Sequence, residues 1–169
     1  MTFNTNDPGK TAAKFESYLL ENNMTQTKTV ILVEDNPADA ELTKLAFQNL
    51  HFSDQIMHCL DGDSLFKLLV NISLNNICYI LLDLNMPRLN GIGVLKKLSA
   101  HLEWYKLPVI VFSSSTNIEE IVTCYDLGAN AYVLKPLDFN EYCNTIRAIH
   151  KFWSGVNVVP FFENTEIEQ

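Results

Sequence analysis

The sequence lacks long apolar runs, closely spaced cysteine pairs and any excess of basic residues. No apolar run among the 169 residues approaches the roughly 18–20 residues that a membrane helix needs. The stretch Met1–Lys10 is polar, without the apolar segment of a signal peptide. The net charge is −8, which argues against direct binding to nucleic acid. We therefore expect a cytoplasmic protein that binds neither membranes nor nucleic acids.

The cysteines also exclude two classes of protein. There are four, Cys59, Cys78, Cys124 and Cys143, and none forms a C-x-x-C pair. This pattern favours buried free thiols in a reducing cytosol over a zinc site or a disulfide framework. The composition, 47% hydrophobic and 19% charged, is typical of a globular domain.

Strand-like and helix-like segments alternate five times between two peripheral regions. Residues 1–27 are predicted to be a loose extension or short helix, residues 28–153 a single domain, and residues 154–169 a tail. The alternation predicts an α/β fold, with a doubly wound five-stranded parallel sheet and helices on both faces. The predicted strands are Thr29–Val33, Asp54–Leu60, Ile77–Leu82, Val109–Phe112 and Ala131–Leu134.

Two helices carry further local predictions. Thr116 and Glu119 have the spacing of a capping box, which would start the helix after the fourth strand. The last helix has an apolar face at helical spacing. That predicted face consists of Phe139, Tyr142, Ile146, Ile149 and Trp153.

Polar residues follow four of the predicted strands. Glu34 and Asp35 follow the first strand, Asp83 the third, Ser113 the fourth and Lys135 the fifth. The carboxyl ends of parallel strands form one edge of a sheet, and ligands bind there where the strand order reverses. If the strand order is 2-1-3-4-5, the three carboxylates meet in one crevice.

Three adjacent carboxylates require a cation. Oxygen ligands favour a hard cation, with Mg²⁺ preferred over Ca²⁺ or a transition metal. A carboxylate beside Mg²⁺ and the Lys135 ammonium can attack phosphorus and form an aspartyl phosphate. Each residue alone also has an ordinary interpretation: Glu34-Asp35 as a solvated loop, Asp83 as an Asx cap, Lys135 as a surface charge. Their joint placement at strand ends favours a site.

Four sequence segments together resemble the receiver domain of two-component response regulators over residues 28–153. They are Ile31-Leu32-Val33-Glu34-Asp35-Asn36, Leu82-Asp83-Leu84-Asn85-Met86-Pro87, Ser113-Ser114, and Gly128-Ala129-Asn130-Ala131-Tyr132-Val133-Leu134-Lys135-Pro136. The resemblance implies a CheY-like, flavodoxin-like fold and a phosphoacceptor, Asp83. It also implies a protein that catalyses only its own phosphorylation and dephosphorylation.

The resemblance implies roles for the remaining site residues. Mg²⁺ would bind Asp35, Asp83 and the Asn85 carbonyl, with Glu34 reaching it through water. Lys135 would contact the phosphoryl group, and the peptide bond before Pro136 would be cis. Ser113 and Tyr132 would form the switch pair, with Tyr132 turning inward on phosphorylation. The phosphoryl donor would be a sensor histidine kinase, and the output a protein partner or a dimer.

A narrower resemblance concerns the end of the domain. Cys124–Tyr132, Phe152-Trp153 and Val158-Val159-Pro160 are similar to stand-alone regulators paired with cyanobacterial phytochrome kinases. Phe152 lies off the apolar face of the last helix and, with Phe161 and Phe162, predicts a homodimer through that helix and the tail. The alternative is a tail that folds back on its own domain.

Two other functions remain open. A phosphatase of the haloacid dehalogenase type also uses an aspartyl phosphate, but carries Asp-x-Asp after its first strand. Here the motif is Asp83-Leu84-Asn85, after the third strand. The second alternative is a degenerate receiver that only binds partners.

Overall fold

The computed structural model describes residues 28–50 and 55–159, so the predictions for the extension before residue 28 and for Phe161 and Phe162 lie outside it. The strands form one five-stranded parallel sheet in the order β2-β1-β3-β4-β5, as predicted. The strands are β1 (Thr29–Val33), β2 (Gln55–Cys59), β3 (Ile77–Leu82), β4 (Val109–Ser113) and β5 (Ala131–Leu134). The helices are α1 (Pro37–Asn49), α2 (Gly62–Asn71), α3 (Gly91–Ser99), α4 (Ile118–Asp126) and α5 (Phe139–Gly155).

Helices cover both faces of the sheet. Every residue of β1, β3 and β4 is buried, which explains why these strands are continuous apolar runs. Alternate side chains enter two separate cores. Ile80 and Leu82 pack with residues of α2, α3 and α4, whereas Tyr79 and Leu81 pack with residues of α1 and α5. The doubly wound architecture is therefore confirmed.

Helix starts follow capping chemistry, with one difference from the predictions. The Asn36 side chain caps α1 by accepting the Ala38 N–H at 2.9 Å. Helix α4 begins at Ile118, where the Asn117 side chain caps it, so the capping box predicted at Thr116 is wrong. Asn is as good an N-cap as Thr, and spacing alone does not choose between neighbouring candidates.

The apolar face of α5 is shorter than predicted. Tyr142, Ile146 and Ile149 are buried, and Trp153 packs against the same core. Phe139 is 41% exposed. Phe139 is the first residue of α5. Helical periodicity shows which face of a helix is apolar, but it does not show where along its length the helix stops packing against the sheet.

All four cysteines lie in the described part of the chain and none of them forms a disulfide bond, as expected. Cys59, Cys78 and Cys124 are buried and Cys143 is half-buried. Burial raises the pKa of Cys59 to about 11. In the described part of the chain, none of the helices has both the length and the apolar character that crossing a membrane requires.

The sheet continues its hydrogen-bond ladder one residue past the strands and thereby places the polar residues. The Glu34 N–H donates to the Cys59 carbonyl and the Asp83 N–H to the Val33 carbonyl, each at 3.0 Å. The Lys135 N–H donates to the Ser113 carbonyl at 2.9 Å. All these backbones are thus fixed at the same edge of the sheet.

Candidate functional site

Three acidic side chains converge at the carboxyl edge of β1 and β3. One carboxylate oxygen from each of Glu34, Asp35 and Asp83 lies within 4.8 Å of the others. Glu34 and Asp83 are buried, and Asp35 is half-buried. Their convergence follows from the strand order, because β1 and β3 are neighbours although they are distant in sequence.

The Lys135 ammonium lies among the carboxylates. Its Nζ is 2.6 Å from Glu34 Oε2, 2.8 Å from Asp39 Oδ2 and 3.0 Å from Asp83 Oδ1, and its side chain is only 10% exposed. Burial lowers the pKa of Lys135, but the hydrogen bonds to Asp39 and Glu34 outweigh this effect. The pKa is therefore raised above its ordinary value, and Lys135 is a cation at neutral pH.

Glu34 is held from several sides. Its Oε1 accepts the Asn36 N–H at 3.1 Å, and its main-chain carbonyl accepts a hydrogen bond from His58 Nε2 at 2.8 Å. Burial raises the pKa of Glu34, and the hydrogen bond and charge of Lys135 oppose this increase. The buried ion pair with Lys135 therefore helps to hold the Glu34 carboxylate next to Asp83.

Asp83 has both carboxylate oxygens engaged. Oδ1 contacts Lys135 Nζ at 3.0 Å, and Oδ2 accepts the Asn85 N–H at 2.7 Å. The side chain of Asn85 is exposed. Gly91 lies directly behind the site, because a Cβ there would be 2.5 Å from the Asp83 carbonyl oxygen. The loop after β3 can therefore approach α3 only with glycine at this position.

The donor set fits a hard divalent cation. Glu34, Asp35 and Asp83 supply three carboxylates close enough to share one ion, and the Lys135 ammonium pairs with Glu34 and Asp83. The candidate metal donors are therefore all carboxylate oxygens, and three carboxylates face one ammonium. Such a charge excess and donor chemistry suit Mg²⁺ and related cations.

Ser113 and Tyr132 both bond to Ser115. Ser113 is fully buried at the end of β4, and its Oγ accepts the Ser115 N–H at 3.2 Å. The Tyr132 hydroxyl donates to the Ser115 carbonyl at 2.9 Å. The Tyr132 ring is half-buried and packs against the core on the side of the sheet that α4 covers. Burial raises the pKa of its hydroxyl.

One implied feature of the site is wrong. No cis peptide bond occurs among the described residues, so the bond between Lys135 and Pro136 is trans. The two isomers of a bond before proline differ by only about 0.5–1 kcal/mol in the absence of tertiary contacts, so the sequence does not determine the isomer.

Sequence reasoning missed two contributors, Asp39 and His58. Asp39 is in the first turn of α1, where an acidic residue is already explained by the helix dipole. Lys135 and Asp39 are 96 residues apart, so only the folded chain shows their contact. The available signal for Asp39 was its place one turn after Glu34-Asp35, in a helix that starts at the same sheet edge.

Comparison with known proteins identifies similar chains. Residues 30–147 match the family model of the response regulator receiver domain. The chain is 32% identical over 136 residues to a probable methanogenesis regulatory protein, FilR2 of Methanothrix harundinacea, covering 78% of this chain and 86% of that protein. It is 27% identical over 139 residues to the response regulator Rcp1 of Synechocystis sp., covering 79% of this chain and 93% of that protein.

Two solved structures have the same fold. The phosphorylated cyanobacterial phytochrome response regulator RcpA superposes with a TM-score of 0.73 at 29% identity, covering 80% of this chain and all of that one. The Mn²⁺-bound form of Rcp1 superposes with a TM-score of 0.70 at 25% identity, covering 79% of this chain and 99% of that one. The match of residues 30–147 lies within the predicted domain, residues 28–153.

Proposed function

The chain belongs to the response regulator receiver family of two-component signalling, and from this premise we propose that it accepts a phosphoryl group on Asp83 from a sensor histidine kinase. The observation that supports this most is the contact of a buried carboxylate at the acidic cluster with an ammonium, Asp83 with Lys135. A carboxylate oxygen beside this ammonium can act as a nucleophile toward phosphorus.

The proposed transfer uses groups that lie together at the carboxyl edge of the sheet. An oxygen of Asp83 attacks the phosphorus of a phosphohistidine, the nitrogen–phosphorus bond breaks, and the imidazole leaves with the electron pair. Lys135 Nζ, 3.0 Å from Asp83 Oδ1, then lies beside the new phosphoryl group and stabilises its charge. Mg²⁺ held by Asp35, Asp83 and the Asn85 carbonyl, with Glu34 in reach, would add positive charge next to the phosphoryl oxygens. Ser113 supplies a hydroxyl to one of those oxygens.

Phosphoryl incorporation from a small acyl phosphate in the presence of Mg²⁺ tests the proposal. Wild type is expected to become labelled, and Asp83→Asn to stay unlabelled because an amide is not a nucleophile for phosphorus. Asp63→Asn, an exposed position on α2, is the matched control and should label as wild type does. Equal labelling of Asp83→Asn and wild type would show that another residue is the acceptor.

The rival functions predict different results. A phosphatase of the haloacid dehalogenase type would turn over free phosphate esters, and we expect no turnover. A degenerate receiver would bind no divalent cation, whereas we expect Mg²⁺ to change the fluorescence of Trp104 or Trp153 with saturation. A flat titration together with absent labelling would favour the degenerate receiver.

The output surface is proposed to be the outer side of α4 and β5. Ile118, Val122 and Tyr125 form an exposed apolar stripe at helical spacing, and the Tyr125 hydroxyl accepts the Tyr132 N–H at 3.2 Å. The stripe is therefore bonded to the same strand that carries a switch residue. A change at Tyr132 on phosphorylation would reach this surface and alter binding to a protein partner.

A homodimer through α5 is the second route for output. Phe152, the described member of the predicted dimer surface, is 48% exposed, and Val156, four residues further on and just past the end of α5, is 64% exposed. We expect a dimer mass in light scattering, and Phe152→Ser should return the protein to a monomer. A monomer mass for wild type, phosphorylated or not, would rule out this route.

A further inference from the structure

Ser115 joins the two switch residues to helix α4. Its main chain donates to Ser113 Oγ at 3.2 Å and accepts from the Tyr132 hydroxyl at 2.9 Å. Its side-chain hydroxyl donates to Glu120 Oε2 at 2.5 Å and accepts the Asn117 N–H at 3.3 Å. Ser115, in the loop between β4 and α4, thus makes four hydrogen bonds, which connect it to the end of β4, to β5 and to the start of α4.

The contact with Glu120 is the strongest of these bonds. It is a short hydrogen bond to a carboxylate, and both residues are half-buried. Glu120 is the third residue of α4, the position from which an acidic side chain ordinarily folds back to the N-cap N–H. Here the N-cap N–H, that of Asn117, donates to the Ser115 hydroxyl. The Glu120 carboxylate accepts a hydrogen bond from that hydroxyl instead.

We propose that Glu120 is a positioning residue for phosphorylation: through Ser115 it holds the Ser113 hydroxyl, and the Tyr132 ring, in the arrangement that receives the phosphoryl group. The inference rests on the proposed function of Asp83. Glu120 itself does not touch the reacting atoms.

The hydrogen-bond directions explain the effect. Because the Ser115 N–H donates to Ser113 Oγ, that oxygen is held in place while its own hydrogen can turn toward a phosphoryl oxygen on Asp83. The Ser115 carbonyl simultaneously fixes the Tyr132 hydroxyl. Removing the Glu120 carboxylate releases the loop, so that both switch residues lose a fixed partner at the moment of transfer.

The test is the initial rate of phosphoryl incorporation from an acyl phosphate in saturating Mg²⁺. Glu120→Ala is expected to lower this rate about three- to tenfold, part of the full value of a hydrogen bond to a charged group. Glu119→Ala, an exposed neighbour on the same turn, is the matched control and should leave the rate unchanged. Equal rates for the two variants would overturn the inference.

Further variants separate positioning from a general structural effect. Ser115→Ala should match Glu120→Ala, and the double variant should be no slower than either, because both changes break the same bond. Glu120→Gln, which keeps an acceptor, should recover part of the rate. In a Ser113→Ala background Glu120→Ala should have a smaller effect than in wild type. Additive losses in either pair would contradict the proposal.

The Mg²⁺ affinity of each variant checks that the site is still folded. It should stay at the wild-type value, because Glu120 lies on α4 and the acidic cluster lies at β1 and β3. A lower Mg²⁺ affinity in parallel with a lower rate would indicate unfolding and count against a positioning role. If wild type itself is not labelled, the proposed function of Asp83 fails before the role of Glu120 is addressed.

Discussion

Replacing Lys135 by methionine would remove the ammonium that, within residues 28–50 and 55–159, pairs with the buried acidic cluster. The side chains of Glu34 and Asp83 are 3% and 7% exposed, so neither carboxylate can recover full hydration. Removing one partner of a buried ion pair costs about 3–5 kcal/mol. We take about 3 kcal/mol, since the contact with Asp39, whose side chain is 38% exposed, contributes little.

The change in melting temperature follows from this magnitude. For a chain of this size each kcal/mol shifts Tm by about 2–4 °C, so Lys135→Met should melt about 6–12 °C below wild type. Thermal unfolding followed by circular dichroism at neutral pH, with a chelator present, measures the shift. Lys96→Met, an exposed lysine on α3, is the control and should melt close to wild type.

The deficit should depend on pH in a defined direction. Burial raises the pKa of Glu34 above 4.5, and Lys135 opposes that increase, so the variant should have a still higher pKa at Glu34. A group whose pKa is raised on folding stabilises the protein fully below its unfolded pKa. That stability is lost as the pH rises through the folded value. The deficit of Lys135→Met should therefore be smallest near and below pH 4.5, relative to wild type, and largest at neutral pH.

Saturating Mg²⁺ should stabilise Lys135→Met by about 2.7 kcal/mol when the cation is at 100 times its Kd. This gain offsets much of the loss relative to wild type without metal. Equal melting of Lys135→Met and wild type at neutral pH without metal would refute the reasoning. A deficit of the same size at acid and neutral pH would refute it as well, because it would come from packing and not from unpaired charge.

Two further predictions concern the support of the site. Gly91→Ala places a Cβ 2.5 Å from the Asp83 carbonyl oxygen and should lower both stability and the labelling rate. Gly155→Ala meets nothing within 4 Å and should do neither, as urea unfolding and acyl-phosphate labelling would show. Glu34→Gln removes one charge from the cluster without changing its shape, so Mg²⁺ affinity in a fluorescence titration should fall. Unchanged affinity would mean that Glu34 does not take part in holding the cation.

The strands and the sheet edge that carries the site could be predicted from the sequence, because they follow from hydrophobic periodicity and from the positions of strand ends. Continuous apolar runs indicated strands buried on both faces, and a parallel sheet then required Glu34, Asp83 and Lys135 to share one edge. The structure places them there, with Lys135 in contact with both acids. These predictions held because they follow from topology, which several independent segments of the chain support together.

The remaining details depend on contacts between elements or on small energy differences. Asp39 contacts Lys135 across 96 residues, and nothing in its local sequence distinguishes it from an ordinary helix-dipole residue. The isomer before Pro136 and the start of α4 depend on differences of about 1 kcal/mol or less. The Ser115 network could not be predicted because main-chain atoms of a loop make most of its bonds.

The most direct test of the account is the position of the phosphoryl group. The labelled protein is reduced with borohydride, which converts an aspartyl phosphate to homoserine, and the digested chain is read by mass spectrometry. The account predicts homoserine at position 83 in a sample labelled with Mg²⁺, and none when the cation is chelated. Homoserine at another position, or equal conversion with and without Mg²⁺, would contradict it.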